Sequence, residues 1–409
     1  MPTFPLDVIP SSGVIRDHID LIFPPNKEPL IEAPIQFVYA SILSTLSTIA
    51  KRKSWLPWFG GKKLYCNTYV LLIGESTLTR KTTCIGYCRG YLEDMVLADP
   101  SIDSFIFPSA GSPEGIFLEL SKKSQGIFIF SEFSSLTELL EKKYASDLKG
   151  FLTDLYDCGY PQTKALSGKT LTIQNHYPNL LAGTALDWLE KASTNQDFKS
   201  GWYTRFLFVW GEDTGLIFAL PRSNNNTRRT GIVQQLIDIC KMPSGEMTMD
   251  QGAIGAYEGF YARNRKLENT AVKTMNVRLF DYAIKIAMLN ALSDQRKNVT
   301  CVDMERSIKF VEWLMMNNAR LMEDHISFGV WDAEVKKARK MVKEKGEVTR
   351  REIMRALHLS SKQVAIVIET MLAREDIETE TIYQGSGSKG GRPSEIYRLT
   401  EFAKKIYCQ

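Results

Sequence analysis

The stretch Leu71-Leu72-Ile73-Gly74-Glu75-Ser76-Thr77-Leu78-Thr79-Arg80-Lys81-Thr82-Thr83 decides how the chain is read. An apolar run enters a loop of small and polar residues, and Lys-Thr opens a helical pattern. That is the order of a P-loop, in which loop amides and a helix N-terminus face phosphate groups. Lys81 fits the ammonium that neutralises the β- and γ-oxygens of ATP. Thr82 fits the hydroxyl that holds Mg²⁺. Gly74, Ser76, Thr79, Arg80 and Thr83 would complete the cradle. The spacing departs from G-x-x-x-x-G-K-[ST]: the loop is one residue longer, and Arg80 replaces the second Gly. Arg80 would add charge, but a residue other than Gly restricts the backbone there. The bland alternative is a strand-turn-helix junction with a solvated Arg-Lys pair.

Working outward, further apolar runs alternate with helical patterns. They are Ser104–Phe107, Gly126–Phe130, Leu180–Thr184 and Arg205–Trp210. Such runs predict a mostly parallel sheet covered on both faces, hence an α/β core. Upstream, Ile35–Ile49 predicts a buried helix, broken by Pro and Gly in Trp55–Gly61. Ser112-Pro113-Glu114 is a helix start. Residues 231–328 read as helix throughout, with Leu279, Tyr282, Ile286 and Leu289 on one stripe.

Three strand ends carry candidate chemistry. Gly126–Phe130 ends in Ser131-Glu132-Phe133, where Asp-Glu is the common form. Glu132 is the candidate base that orients water, and Ser131 a weak metal-side ligand. Thr184 closes a strand where a γ-phosphate sensor would sit, or it caps a helix. Arg205 opens a strand after an aromatic turn and could act as an arginine finger, in its own chain or a neighbouring subunit. A structural Arg is the alternative. Arg278 opens a helix and could reach phosphate from above, or be solvated.

As a set, G-x-S-x-x-x-R-K-T-T (Gly74 to Thr83), Ser131-Glu132-Phe133, Gly183-Thr184-x-x-Asp187-Trp188-Leu189 and Gly201-x-x-x-Arg205-Phe206 resemble a known family. It is that of ATPases encoded beside primases in phages, plasmids and mobile elements, long catalogued as a domain of unknown function. The resemblance covers about Pro5 to Phe328. It implies a RecA/AAA-like core with a helical lid and kinship to hexameric helicases. It also implies a homo-oligomer, a primase or other replication protein as partner, and a role in DNA replication or mobility. Ser131 and the longer loop bear on hydrolysis more than on ATP binding.

Residues 331–409 read as a winged helix. Asp332–Lys345 is a basic helix ended by Gly346, and Thr349-Arg350-Arg351-Glu352 is a capping box. Ser360-Ser361-Lys362-Gln363 is a second box. Two strands, Ile377–Tyr383 and Ile396–Leu399, flank a Gly/Ser-rich tip. In helix-turn-helix geometry Ser361, Lys362 and Gln363 would face DNA, with Arg350 and Arg351 nearby. Lys389 and Arg392 would reach it from the wing. Residues 331–409 hold 16 Lys and Arg against 12 Asp and Glu, while the rest balances 35 against 35. The net charge of +4 is thus concentrated where a polyanion is expected.

The expected organisation is a helical segment (1–60), a P-loop core (61–230), a helical lid (231–328) and a winged helix (329–409). Seven scattered cysteines without CxxC spacing fit a reducing compartment and no zinc site. Cys84 and Cys88 are a possible redox pair, or two small apolar residues on one helix face. With no signal peptide and no membrane span in view, a cytoplasmic protein is expected.

Overall fold

A computed structural model describes residues 2–108, 112–141, 148–166, 169–192, 201–218, 226–265, 275–324, 331–373, 376–383, 393–401 and 403. The chain divides into two compact units, Met1–Met322 and Glu323–Gln409. It is a mixed α/β protein.

In the first unit, α1 (Gly13–Ile22) and α2 (Ile35–Ala50) lead into strand β1 (Ser54–Trp58). β2 (Lys62–Tyr65) and β3 (Tyr69–Ile73) follow, then α3 (Lys81–Ala98), α4 (Pro113–Lys122) and β4 (Gln125–Phe130). Next come α5 (Ser134–Glu141), α6 (Leu148–Tyr156), β5 (Gln162–Leu166), β6 (Lys169–Ile173), β7 (Tyr177–Thr184), α7 (Leu186–Ala192) and β8 (Phe206–Trp210). The unit closes with α8 (Asn226–Lys241), β9 (Gly245–Glu246), β10 (Thr248–Met249), α9 (Gln251–Asn264), α10 (Leu279–Ser293), β11 (Asn298–Val299) and α11 (Cys301–Asp324).

The main sheet is parallel, in the order β4-β7-β3-β8. Every residue of β3, β7 and β8 is buried, as continuous apolar strands covered on both faces must be. α2 packs against all four strands. Its hydroxyls are satisfied within the helix: Ser44, Thr45 and Thr48 donate to the carbonyls of Ala40, Ser41 and Ser44 at 2.9, 2.9 and 2.7 Å. This bonding lets a hydroxyl-rich helix be buried all round. α10 is buried along its length except at Asp281.

Several expectations are corrected. The run 104–107 makes one parallel bridge, Ile106 to Ile127, rather than a strand, and Pro108 lacks the N–H needed to extend it. Trp55–Gly61 does more than break a helix. β1 and β2 form an antiparallel hairpin turned by Phe59, Gly60 and Gly61, the glycines at φ 67° and 71°. Pro57 is tolerated because β1 pairs with β9 only at Ser54 and Trp55, leaving that edge open. Residues 231–328 are not helix throughout: β9 adds to the hairpin, and β10 pairs with β11. The β5–β6 hairpin carries no signal that the strand pattern picked out.

The second unit contains α12 (Asp332–Lys345), β12 (Glu347–Thr349), α13 (Arg350–Ala356), α14 (Ser361–Ala373), β13 (Ile377–Tyr383) and β14 (Pro393–Leu399). Its antiparallel sheet runs β12-β14-β13. Val335, Val342, Ile353, Val364, Met371 and Tyr397 share one core with residues from every element. Gly346 ends α12 at φ 79°. The Thr349–Glu352 capping box is formed in both directions.

Candidate functional site

The parallel order puts the ends of β3, β4, β7 and β8 on one edge. Ile73 lies level with Thr184 on one side and Trp210 on the other. Gly74 N–H donates to the Thr184 carbonyl (3.2 Å), and Phe133 N–H to the Gly183 carbonyl (2.7 Å). The loop from Gly74 and the turn at Ser131-Glu132 are therefore both stitched to the end of β7.

Lys81 is the first residue of α3, and its side chain folds back into the loop. Nζ donates to the carbonyls of Gly74 (2.7 Å) and Glu75 (3.0 Å). The residue is 5 % exposed. Burial lowers its pKa, while Glu132 and then Glu75 favour the charged form. Glu132 is exposed at the strand end and close enough to act on that charge. Ser131 is exposed beside it.

Gly183 is what lets these parts meet. A Cβ there would lie 3.0 Å from the Ser131 carbonyl oxygen, 3.3 Å from Ile85 Cδ1 and 3.5 Å from Lys81 Cβ. Gly74 is equally confined: its Cβ would lie 2.6 Å from Thr79 Oγ1 and 2.8 Å from the Gly211 carbonyl. Thr79 is buried and donates to the Glu75 carbonyl (2.9 Å), so it braces the loop from within. Ser76, Thr82 and Thr83 are exposed, and no side chain caps the start of α3.

Arg80 stands at φ 52°, left-handed, at the position where glycine was expected. Its guanidinium is held by Glu32, with Nε 2.7 Å from Oε2. Glu32 also accepts from Phe218 N–H (2.6 Å); that bond and then Arg80 hold its carboxyl below the usual range. Arg80 therefore ties the loop to the segment before α2. Its guanidinium is engaged with Glu32 rather than turned into the loop. Glu32, 48 residues away, was not legible from the sequence.

Thr184 is at the expected edge but is 1 % exposed, and its hydroxyl donates to the Ala185 carbonyl (3.2 Å). Arg205 and Arg278 are not at this edge. Arg205 precedes Phe206, which is level with Tyr69 at the opposite end of β3. The strand between the two edges is roughly 13 Å long at the usual rise. The Arg205 guanidinium donates to the Gly201 carbonyl (2.8 Å) and to Asp157 (3.0 Å), and the residue is 7 % exposed. Arg278 lies 3.7 Å from the same Asp157 and 3.3 Å from Asp281. Burial opposes its charge, but Asp157 and then Asp281 prevail and raise its pKa. Both arginines are thus held at the far edge, so neither reaches the edge shared by Lys81 and Glu132 in its own chain. Asp157, their shared partner, had no sequence signature.

No group of three or more His, Cys, Asp or Glu that could hold a metal exists among the described residues. A cation here would need the Thr82 hydroxyl, Ser131 and oxygens of its ligand, as Mg²⁺ sites on phosphates commonly do. The exposed hydroxyls and the uncapped helix start fit such a ligand. The six described cysteines are free; Cys84 and Cys88 are fully buried, and burial raises both thiols, which suits packing rather than redox chemistry.

In the second unit, Arg351 and Lys362 are exposed. Arg350 Nη2 donates to the Ser361 carbonyl (2.8 Å) and hydroxyl (3.2 Å), linking the starts of α13 and α14. Gln363 caps α14, accepting from Ser360 N–H at 2.8 Å. Lys389 and Arg392 lie outside the described residues. No described helix is long and apolar enough to cross a membrane. Neither the protein-family models nor the curated proteins compared with the chain match it.

Proposed function

We propose that this chain binds and hydrolyses ATP at the Gly74–Thr83 loop of a RecA/AAA-like P-loop core, and holds DNA through a C-terminal winged helix. One observation carries the reading. Lys81, at the start of α3, and the Ser131-Glu132 strand end converge on Gly183, at the end of the strand between theirs. Ligands of open parallel sheets bind at the carboxyl ends of the strands, where connections diverge. Lys81 supplies the cation for β- and γ-phosphate oxygens. Its present acceptors are two loop carbonyls, which a phosphate would replace. Thr82 offers a hydroxyl to Mg²⁺, and Glu132 orients the attacking water. Mg²⁺, when bound, neutralises charge developing on the phosphates.

In this reading the chain is a helicase-type motor in the replication or mobility of a phage, plasmid or mobile element. Arg205 and Arg278 can serve only the phosphate of another copy, so the reading includes a homo-oligomer, a hexameric ring in the family it resembles. A primase or other replication protein is the expected partner, in the cytoplasm. The helix-helix-strand order of the second unit, with Arg351 and Lys362 exposed, supports DNA contact there.

A second reading has one observation in its favour. Ser131 stands where the metal-side acid is usual, and the Thr184 hydroxyl is buried against Ala185 rather than open to a γ-phosphate. That favours a nucleotide-switched DNA-binding initiator or regulator with weak hydrolysis. ATP turnover by wild type, Lys81→Ala and Glu132→Gln, with and without single-stranded and duplex DNA, decides between them. DNA-stimulated turnover lost in both variants supports the motor. ATP binding without turnover in wild type supports the switch. No ATP binding sinks both.

A further inference from the structure

The β1–β2 hairpin has no part in the phosphate site, yet it carries the most exposed aromatic side chain of its region. Phe59, at the turn, is 80 % exposed. Its ring meets that of Trp58 at 4.9 Å and 64°. Lys62 and Lys63 follow, both exposed. Cross-strand pairs share a face, so Lys62 lies beside Trp58 and Lys63 beside Pro57. The Lys63 ammonium sits 3.8 Å from the centre of the Trp55 ring. Rings and cations therefore interleave on both faces of one short ribbon.

Three residues before the hairpin, Lys51 borders a cavity of about 500 Å³ lined also by Asp103, Lys122, Lys123, Ser124 and Gln125. Arg52 N–H donates to Gln125 Oε1 (3.4 Å), which fixes the cavity wall to the start of the hairpin. Lys122 is paired with Glu119. Lys51 and Lys123 are half-buried. The Lys123 backbone N–H donates to the Glu119 carbonyl (2.9 Å), but neither side-chain ammonium has a hydrogen bond or ion pair among the described residues. Each instead lies near an aromatic ring, Phe105 at 4.9 Å and Phe107 at 5.7 Å. Asp103 lines the same cavity and draws on Lys123, but one carboxylate against two ammonium groups leaves a positive excess that favours a further anion.

We propose that the hairpin and this cavity together form a binding track for single-stranded nucleic acid: bases stack on Phe59 and Trp58, and backbone phosphates lie against Lys62, Lys63, Lys51 and Lys123. The inference rests on the nucleic-acid reading above and adds a contact surface in the first unit. β1 is roughly 14 Å long at the usual rise, room for a few nucleotides. Single strands fit better than duplex, because only unstacked bases offer a face to an exposed ring. A lipid surface fits less well. A membrane-inserting tip needs a contiguous apolar cap, and here lysines flank the rings on both faces.

The test is fluorescence anisotropy of a labelled oligothymidylate on the full chain, over a salt series, with Phe59→Ala and the double variant Lys51→Ala/Lys123→Ala. Phe59→Ala should weaken binding about tenfold, the scale of one lost stacking contact. The double variant should flatten the logarithmic salt dependence by about 1.4, two single-strand phosphate contacts. Phe59 is a solvent-exposed turn residue, so thermal unfolding should be unchanged in that variant. Wild-type binding that is absent, or unaltered in both variants, overturns the proposal. So does loss of binding to phosphatidylserine vesicles in Phe59→Ala with oligothymidylate binding intact. The two readings fail separately. Absent ATP turnover with weakened oligothymidylate binding in the variants sinks the motor and leaves the track standing. DNA-stimulated turnover with unaltered binding does the reverse.

Discussion

Lys81 Nζ lies 2.7 Å from the carbonyl oxygen of Gly74, so the loop closes on its own lysine. The ammonium is kept inside the turn that a phosphate would fill. It is drawn toward charge by Glu132 and Glu75 while burial works against it. Lys81→Ala should lower ATP turnover by about a hundredfold or more, the scale for removing a donor aimed at developing charge. Stability should fall by about 1–2 kcal/mol, because the buried Gly74 carbonyl loses its donor while Glu75 borders exposed loop. Steady-state phosphate release with a parallel urea titration checks both.

Gly183 is the contact point of three elements. Gly183→Ala puts a methyl 3.0 Å from the Ser131 carbonyl, which is backbone and cannot swing away. Overpacking of this kind costs about 1–3 kcal/mol. Urea denaturation should show that loss, with turnover falling as well, because the strain pushes Lys81 and Ser131 apart. A variant as stable and active as wild type would contradict the geometry.

Arg80 separates two effects. Its left-handed backbone costs roughly 1 kcal/mol against glycine, and its exposed pair with Glu32 returns only part of that. Arg80→Gly should therefore be at least near wild type in stability, and Arg80→Ala, which keeps the strain and loses the pair, slightly below it. Both should retain ATP turnover, since the guanidinium is spent on Glu32. Loss of ATP binding in Arg80→Gly would return Arg80 to the phosphate cradle.

Arg205→Ala should destabilise by about 2 kcal/mol, because it strips a buried partner from the Gly201 carbonyl and from half-exposed Asp157. Arg278→Ala should cost less, as Arg278 is more exposed. Mixing either variant with Lys81→Ala protein tests the remaining functional role. Recovery of turnover in the mixture is expected only if these arginines serve a neighbouring copy.

Lys123 gives the track a pH signature. Burial first, then Lys51, pushes its pKa down to about 8, against the pull of Asp103. A lysine with a depressed pKa is charged below that value and neutral above it. Lys51, Lys122 and Asp103 are the other charged groups around the cavity. Oligothymidylate affinity should therefore fall as pH rises through about 8. Lys123→Arg, which stays charged, should remove that fall.

The sequence was legible where local chemistry decides structure. Continuous apolar runs marked β3, β4, β7 and β8, and the Thr349–Glu352 box marked the start of α13. The edge shared by Lys81, Glu132 and Thr184 followed from those strand ends once the sheet was parallel. What the sequence left open depends on partners far along the chain. Arg205 and Arg278 looked like site residues, but Asp157 draws both to the opposite edge. Arg80 was read by its charge, whereas Glu32 decides where that charge goes. The hairpin was hidden because Pro57, Gly60 and Gly61 break helices and strands alike. Only the open edge of β1 shows why they are tolerated.

The hairpin and the Gly74–Thr83 loop belong to one uninterrupted length of chain. β2 passes through Cys66, Asn67 and Thr68 into β3, and β3 ends at Gly74. That short junction has little slack. Asn67 Nδ2 donates to the Tyr156 carbonyl (2.7 Å), Lys285 Nζ to Asn67 Oδ1 (2.9 Å), and Asn179 Oδ1 accepts from Thr68 N–H (2.9 Å). A tug at the Phe59 tip is therefore met at this anchored knot, which also heads the strand bearing the lysine loop. β3 is a tie rod, clamped at one end and carrying its load to the other.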